Sequence, residues 1–387
     1  MTPQTVLLVA GDPSGDLHGA RLARALKRQA PSLRIAAVGG PLLKAAADEF
    51  IEDLASHGIT GFWEPVRQVP RLVRAGRRIA EFMARRRPRA VVCIDYYGFN
   101  RRVLGLARRA GLPTYYFISP QVWASRPGRV GVLKRLVDHM MVIFPFEETI
   151  YRKAGVRATF VGHPLLDILP PPLPEREAAD VGTIRIGLLP GSRSSEVHRH
   201  LPVLLAAFAL IKKQYPQAKA SVFAAPSLPD EAYGLVGKDI PLIRESDYSR
   251  RRTMTLVLTS SGTATLETAL LGIPMVVLYK LSWPTYAIAR ALIRVPYISM
   301  ANLLAGRRLV PEFVQRQATP ASVSAAALDL LDDPRRLAAL RKDLLELRGR
   351  LGGPGACERA ALLVLGGEGT GEGRPHPSFS VAEGLSR

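Results

Sequence analysis

Val6-Leu-Leu-Val-Ala-Gly-Asp-Pro-Ser-Gly-Asp-Leu-His-Gly-Ala20 opens on an apolar run, breaks at Gly11-Asp12-Pro13, and passes from Leu17 to Gln29 into helical periodicity. A short apolar run closed by turn chemistry predicts a strand buried on both faces, followed here by a helix. The figure repeats. Ile35–Val38, Ala90–Ile94, Tyr115–Ile118, Met140–Phe144 and Thr159–Val161 read as strands, and Val69–Arg86, Arg101–Ala110 and Glu147–Ala154 as the helices between them. Strand and helix in alternation predict a parallel sheet covered on both faces.

The pattern breaks at Ile168-Leu-Pro-Pro-Pro-Leu-Pro174, where proline can neither continue a helix nor pair inside a sheet. It then restarts. Strands are expected at Arg185–Leu189, Ala220–Ala224, Met254–Leu258 and Met275–Leu278, with helices near Ser195–Tyr215, Thr263–Leu271 and Pro284–Ile293. From Pro320 the chain reads as helix through Leu351, pauses at Gly352-Gly-Pro-Gly355 and resumes to Leu365. The fold class is therefore α/β, with two Rossmann-like doubly wound domains, residues 1–167 and 184–325, joined by a linker at 168–183 and expected to face a central cleft. Helices follow over 326–365, and the Gly- and Pro-rich segment 366–387 is expected to be disordered.

Composition narrows the class. In 387 residues, 47% hydrophobic and 22% charged, there is ample material for packed cores. Cys93 and Cys357 are the only cysteines, which excludes a disulfide framework and a cysteine-rich zinc site. The first apolar run is too short for a signal-peptide core, and Leu201–Ile211 and Ile273–Tyr279 fall short of the ~20 residues a spanning helix needs.

Four strand-to-helix turns carry chemistry. Gly11-Asp-Pro-Ser-Gly-Asp-Leu-His-Gly19 is spaced G-x3-G-x3-G, neither a dinucleotide fingerprint nor a P-loop; it is a ligand-binding turn or a plain tight one. Cys93-Ile-Asp-Tyr-Tyr-Gly-Phe-Asn100 brings a carboxylate, Asp95, out of a hydrophobic strand, as a general base or as a helix cap. Leu188-Leu-Pro-Gly-Ser-Arg-Ser-Ser-Glu196 offers backbone donors at Gly191 and Ser192 and a phosphate-matched fork at Arg193. Thr259-Ser-Ser-Gly-Thr-Ala-Thr-Leu-Glu267 adds small hydroxyls suited to a diphosphate, with Glu267 placed to bridge two ribose hydroxyls or simply to cap. Two such turns in one half favour a nucleotide diphosphate there.

With these four in order, and with Ile118-Ser-Pro-Gln-Val-Trp-Ala-Ser-Arg-Pro-Gly-Arg129, Phe144-Pro-Phe-Glu147, Phe160-Val-Gly-His-Pro164 and Val295-Pro-Tyr-Ile-Ser-Met-Ala-Asn-Leu-Leu-Ala-Gly-Arg307, the chain resembles the lipid-A-disaccharide synthases from about Val6 to Leu365. These are inverting glycosyltransferases of the GT-B type. The resemblance implies transfer of 2,3-diacylglucosamine from its UDP derivative to the 6-hydroxyl of 2,3-diacylglucosamine 1-phosphate, giving a β-1,6 disaccharide and UDP. It implies work at the cytoplasmic face of the inner membrane by a peripheral protein, with no cofactor and no metal. Carried onto this sequence, it places Gly191, Ser192, Arg193 and Glu196 at the diphosphate, Ser261, Gly262, Thr263, Glu267 and Asn302 around the rest of UDP, and Asp12, Ser14, Gly15, Gln121 and Trp123 along the amino-terminal wall. Asp95 becomes the catalytic base; His57, in His57-Gly-Ile-Thr-Gly-Phe-Trp63, is a second proton-acceptor candidate or, more simply, a satisfied structural histidine. One departure is Gly98, where many members carry a second aspartate; Asp12-Pro13 also replaces their usual Glu-Ala or Glu-Thr. The carboxyl-terminal helices are implied to cross back to the amino-terminal domain, compatible with a homodimer that exchanges them. The nearest alternatives are another GT-B enzyme on a membrane-bound amino sugar or a sugar-nucleotide epimerase.

The 53 Lys and Arg against 33 Asp and Glu leave a formal net charge of +20. Thirteen arginines fall between Arg67 and Arg109, against only Glu81 and Asp95. Val69, Leu72, Val73 and Ile79 interleave with Arg71, Arg74, Arg77 and Arg78, which reads as an amphipathic face for an anionic membrane. The rival, a nucleic-acid patch, would call for base-stacking aromatic motifs on a sheet, and no such motif is present.

Overall fold

The computed structural model describes residues 4–55, 64–125, 128–174, 183–292 and 295–366. His57, residues 175–182 of the linker and all but the first residue of 366–387 lie outside them. The chain divides into two compact units, one formed by the residues up to Asp167 together with the segment from Leu351, the other by Ile168–Arg350.

The first unit runs β1 (Thr5–Ala10), α1 (Pro13–Gln29), β2 (Arg34–Gly39), α2 (Pro41–Ala46), β3 (Glu49–Asp53), α3 (Glu64–Arg86), β4 (Ala90–Ile94), α4 (Tyr97–Arg109), β5 (Thr114–Phe117), α5 (Val122–Ser125), α6 (Arg129–Leu136), β6 (His139–Val142), α7 (Pro145–Lys153) and β7 (Ala158–Phe160). All pairings are parallel, in the order β3-β2-β1-β4-β5-β6-β7. Val6, Leu7, Leu8 and Val9 are completely buried, as a central strand covered on both faces requires. Asp12 starts α1 by accepting the Gly15 N–H at 2.7 Å, Pro13 takes the first turn where no donor is needed, and Lys27 and Arg28 sit against the carboxyl-terminal dipole. The α2–β3 segment was not anticipated from the sequence; β3 is a half-buried edge strand, Glu-Phe-Ile-Glu-Asp, without a continuous apolar run.

The second unit runs β8 (Arg185–Leu189), α8 (Ser194–Gln214), β9 (Lys219–Phe223), β10 (Leu242–Ile243), β11 (Leu256–Ser260), α9 (Thr263–Leu270), β12 (Met275–Tyr279), α10 (Trp283–Leu292), α11 (Met300–Ala305), β13 (Glu312–Val314), α12 (Pro320–Leu331) and α13 (Pro334–Arg350). Its sheet is also parallel, β10-β9-β8-β11-β12-β13.

The single helix expected from Pro320 to Leu351 is two helices. Asp333 accepts the backbone N–H groups of Arg335 and Arg336, both at 3.0 Å, and so caps a new start that Pro334 forces. Nor does everything from residue 326 join the first unit. Helix α13 stays in the second, where Arg348 donates to the Leu270 carbonyl at 2.9 Å. Only the last helix, α14 (Ala356–Val364), belongs to the first unit. It lies on α1, with Gln29 donating to the Glu358 carbonyl at 2.9 Å and the His163 N–H bonded to the Leu351 carbonyl at 3.1 Å.

Candidate active site

In each unit strand order reverses direction at one place, between β1 and β4 in the first and between β8 and β11 in the second. Open parallel sheets bind ligands beyond the carboxyl ends of the strands at such switch points. The turns singled out in the sequence follow these four strands: Gly11–Asp16 after β1, Asp95–Asn100 after β4, Gly191–Glu196 after β8 and Ser261–Glu267 after β11.

At the first switch point, Asp95 and Tyr96 both adopt left-handed backbone conformations, φ 45° and 42°, unusual for residues with side chains. Three hydrogen bonds hold the bend: Asn100 donates its amide to the carbonyls of Ile94 (3.0 Å) and Asp95 (2.8 Å), and the buried Tyr116 hydroxyl donates to the Asp95 carbonyl at 2.5 Å. The Asp95 carbonyl is thereby fixed inward while its carboxylate remains half-buried. Burial, and then the negative charge of Asp12, push that carboxyl up to about 6. Asp12 is itself raised, chiefly by burial.

The glycines of the first turn serve packing. A Cβ on Gly11 would lie 2.1 Å from the Tyr96 ring, so Gly11 makes room for the residue after Asp95. Gly15 carries the N–H that Asp12 accepts, and Ser14 is exposed beside it on α1. Asp16 is buried and receives the N–H groups of Gly40, Leu42 and Leu43 at 2.7 to 3.0 Å, starting α2.

Trp123 does not line an open wall. It is buried, donating its indole N–H at 3.1 Å to Glu147, which also accepts from Ser119 (2.8 Å) and the Phe144 N–H (3.2 Å). A buried carboxylate must collect donors, and this one pins the Ser119–Trp123 loop while leaving Gln121 exposed. Burial raises Glu147 to about 7.

In the second unit Gly191 stands at φ 124°, and a Cβ there would meet the Glu196 carboxylate at 2.6 Å. Glu196 is buried and accepts from the Ser192 N–H (3.0 Å), the Arg193 N–H (3.4 Å), the Arg193 guanidinium (2.8 Å) and the Tyr279 hydroxyl (3.1 Å). The Ser192 donor is thus already taken, and Glu196 is the brace of the turn. What remains for an anion is the exposed Arg193 guanidinium and the opening N–H groups of α8.

After β11, Gly262 at φ 143° begins α9 with Gly262 and Thr263 exposed, while Ser261 donates to the Ile298 carbonyl at 2.6 Å. Glu267 accepts from the Tyr248 hydroxyl at 3.0 Å and from Arg251 at 2.6 Å. Arg251 lies between the Tyr248 and Phe223 rings, 5.0 and 5.4 Å from their centroids. Tyr248 and Arg251 were not found from the sequence, because Glu245-Ser-Asp-Tyr-Ser-Arg-Arg-Arg252 has no periodicity that marks it as part of a site. Each Glu267 oxygen keeps a lone pair beyond the bond it accepts, enough to meet two neighbouring hydroxyls.

Asn302 is withdrawn from direct contact. It is fully buried; its amide donates to the Val310 carbonyl (2.9 Å) and to Glu312 (2.7 Å), and its oxygen accepts the N–H groups of Leu309 (2.7 Å) and Val310 (2.8 Å). Glu312 in turn accepts the N–H groups of Ile298 and Ser299. Asn302→Ala is expected to cost about 3 kcal/mol of folding stability, read by urea denaturation; a variant of native stability that loses UDP affinity would return Asn302 to the ligand.

Comparison with known proteins agrees with this architecture. The chain is similar to the lipid-A-disaccharide synthase of Syntrophus aciditrophicus, 39% identical over 94% of this chain and 98% of that one, and to that of Myxococcus xanthus, 35% identical over 94% and 97%. Among solved structures, a UDP-GlcNAc 2-epimerase from Neisseria meningitidis bound to UDP-GlcNAc superposes with TM-score 0.59 at 12% identity over 94% of this chain and 100% of that one. A spinosyn rhamnosyltransferase complexed with thymidine diphosphate does so with TM-score 0.53 at 16% identity over 92% and 99%. These likenesses give the fold class, two parallel-sheet α/β domains of the GT-B type. The family model described as lipid-A-disaccharide synthetase matches residues 6–365, and the chain belongs to that family.

Proposed function

We propose that the chain transfers 2,3-diacylglucosamine from its UDP derivative to the 6-hydroxyl of 2,3-diacylglucosamine 1-phosphate, forming the β-1,6 disaccharide and releasing UDP. The observation that carries this reading is the division of chemistry between the two switch points: a carboxylate of raised proton affinity in one unit, and an exposed guanidinium, helix amino termini and a braced Glu267 in the other. In the step itself the acceptor oxygen bonds to the anomeric carbon and gives its proton to Asp95. The bond from that carbon to the diphosphate breaks with its electron pair on UDP. Arg193 and the amino termini of α8 and α9 offset the charge that develops there, and Glu267 takes the ribose hydroxyls. Ser14, Gly15 and Gln121 belong to the acceptor's surroundings, and Asp12 acts on Asp95 through its charge.

Incubating the protein with both acylated glucosamines tests the reading by product analysis. Disaccharide and UDP in equal amounts are expected; UDP without disaccharide would overturn it, and a 2-epimerised sugar nucleotide would favour the epimerase alternative.

Both substrates carry acyl chains, and among the described residues no helix is long and apolar enough to cross a membrane. We assign membrane contact to the outer face of α3. Val69 and Val73 are 47% and 43% exposed on it, beside Arg74 and Arg77, which are exposed and have no ion-pair partner among the described residues. Arg71 and Arg78 are committed elsewhere, Arg71 to the Asp53 carbonyl and Arg78 to Glu52 at 2.8 Å, both on β3. Ile79 packs in the core. Since each basic residue near an anionic surface contributes about 1 kcal/mol, Arg74→Glu with Arg77→Glu is expected to weaken binding to anionic vesicles at least ~10-fold. Unchanged sedimentation with vesicles would rule this face out.

A further inference from the structure

An open groove of about 460 Å³ lies in the first unit between α3, α4 and α6, within the size range of small-molecule sites. Leu72 and Val73 form one wall, Leu106 the second and Val132 the third. Two glycines in helix interiors also line it, Gly76 on α3 and Gly105 on α4. Glycine there weakens a helix relative to alanine, and packing does not demand it. A Cβ on Gly76 would meet nothing within 4 Å, and one on Gly105 only the tip of Arg109 at 3.7 Å. The glycines therefore keep open a space that the protein itself leaves unfilled. Among the described residues no acidic side chain lines the groove, while Arg101, Arg102 and Arg109 rim it. An apolar trough under a cationic rim complements a lipid with an anionic head.

Placement selects which lipid. The groove is lined from Phe99 to Arg109 along α4, the helix that begins two residues after Asp95, so at 1.5 Å per residue it runs for about 15 Å starting one turn beyond the proposed base. At its other wall it continues into the exposed Val73 of the membrane-facing side of α3. We propose that this groove holds one acyl chain of the 1-phosphorylated acceptor while its hydroxyl is presented to Asp95. The inference rests on the acceptor assignment made above, and it makes acyl length a determinant of acceptor specificity through α3 and α4.

Gly76→Leu and Gly105→Leu fill the trough with a residue that favours helix, so folding, followed by thermal melting, should hold. Acceptor affinity is measured by titration without donor, in acceptors of long and of short acyl chain. The full-length protein should favour the long chain by roughly fourfold per methylene that enters the groove. In either variant the long-to-short affinity ratio should fall at least ten-fold, and the same ratio in kcat/KM should follow. An unchanged ratio in a folded variant overturns the proposal. So does loss of binding to plain phospholipid vesicles with the acceptor ratio intact, which would give the groove to bilayer lipid. Because binding is read without donor, a protein that holds the acceptor but forms no disaccharide would contradict the proposed reaction and leave the groove standing.

Discussion

Replacing Asp95 by asparagine is expected to lower kcat by about 10²–10⁴-fold, the range for loss of a positioned general base, with UDP affinity unchanged. Asparagine keeps the size and the hydrogen-bonding edge of the side chain, and the bend at residues 95–96 depends on the Asp95 carbonyl, not its carboxylate. A loss of activity would therefore report proton transfer and not a collapsed turn. The pH profile gives a second readout. With its carboxyl raised to about 6, Asp95 is a base only when ionised, so kcat/KM should be lost as pH falls through 6 and reach a plateau above 7. Asp12→Asn removes a like charge and stabilises the ionised form, so the acidic limb should move to lower pH. The asparagine amide oxygen can still accept the Gly15 N–H, so the α1 cap is kept. Near-normal turnover in Asp95→Asn would transfer the role to another group, with His57 the first to replace. An acidic limb that stays in place in Asp12→Asn would show that burial alone sets the Asp95 proton affinity.

Much of this arrangement could be read from the chain because strand ends are where buried apolar runs stop, and the candidate turns follow them. Val6–Ala10, Ala90–Ile94 and Arg185–Leu189 are apolar enough to be recognised as central strands, and each leads directly into a candidate turn. Of the four edge strands only β7 shows itself in the sequence. β3 and β13 are partly exposed and short, and β10 pairs through two residues only. The division of the carboxyl-terminal helix at Asp333-Pro334 was carried by ordinary capping chemistry that an otherwise continuous helical pattern concealed. Within the candidate turns, orientation was not legible. Glu196, Asn302 and Trp123 lie in the segments expected to bind ligand, yet each turns inward because a buried polar group is tolerated only with its partners satisfied. Those partners, Tyr279, Val310 with Glu312, and Glu147, come from elements that no local pattern connects. The outer face of α3 shows the same limit: its arginines look equivalent in sequence, and only the β3 edge separates Arg71 and Arg78, which bind it, from Arg74 and Arg77.

Arg193→Ala is expected to reduce kcat by about 10²–10³-fold, the effect of removing one preorganised group from a developing negative charge, with a smaller change in KM for the donor. The guanidinium is exposed yet not free to wander: one nitrogen is fixed to Glu196 at 2.8 Å, and Glu196 is held by the Tyr279 hydroxyl and two backbone N–H groups of the turn. The remaining N–H groups form a fork whose orientation is set before substrate arrives, so little reorganisation is needed as the bond to the diphosphate breaks. Lysine cannot reproduce this, being a single charge on a flexible stem; Arg193→Lys should recover only part of the loss. Tyr279→Phe leaves the cation in place but loosens its brace, and should lower kcat less than Arg193→Ala while leaving the plateau of the pH profile where Asp95 puts it. Single-turnover release of UDP measures all three. If Arg193→Ala releases UDP at close to the native rate, the charge of the leaving group is carried by the amino termini of α8 and α9 alone, and the fork at Arg193 has a role in donor capture and not in the chemical step.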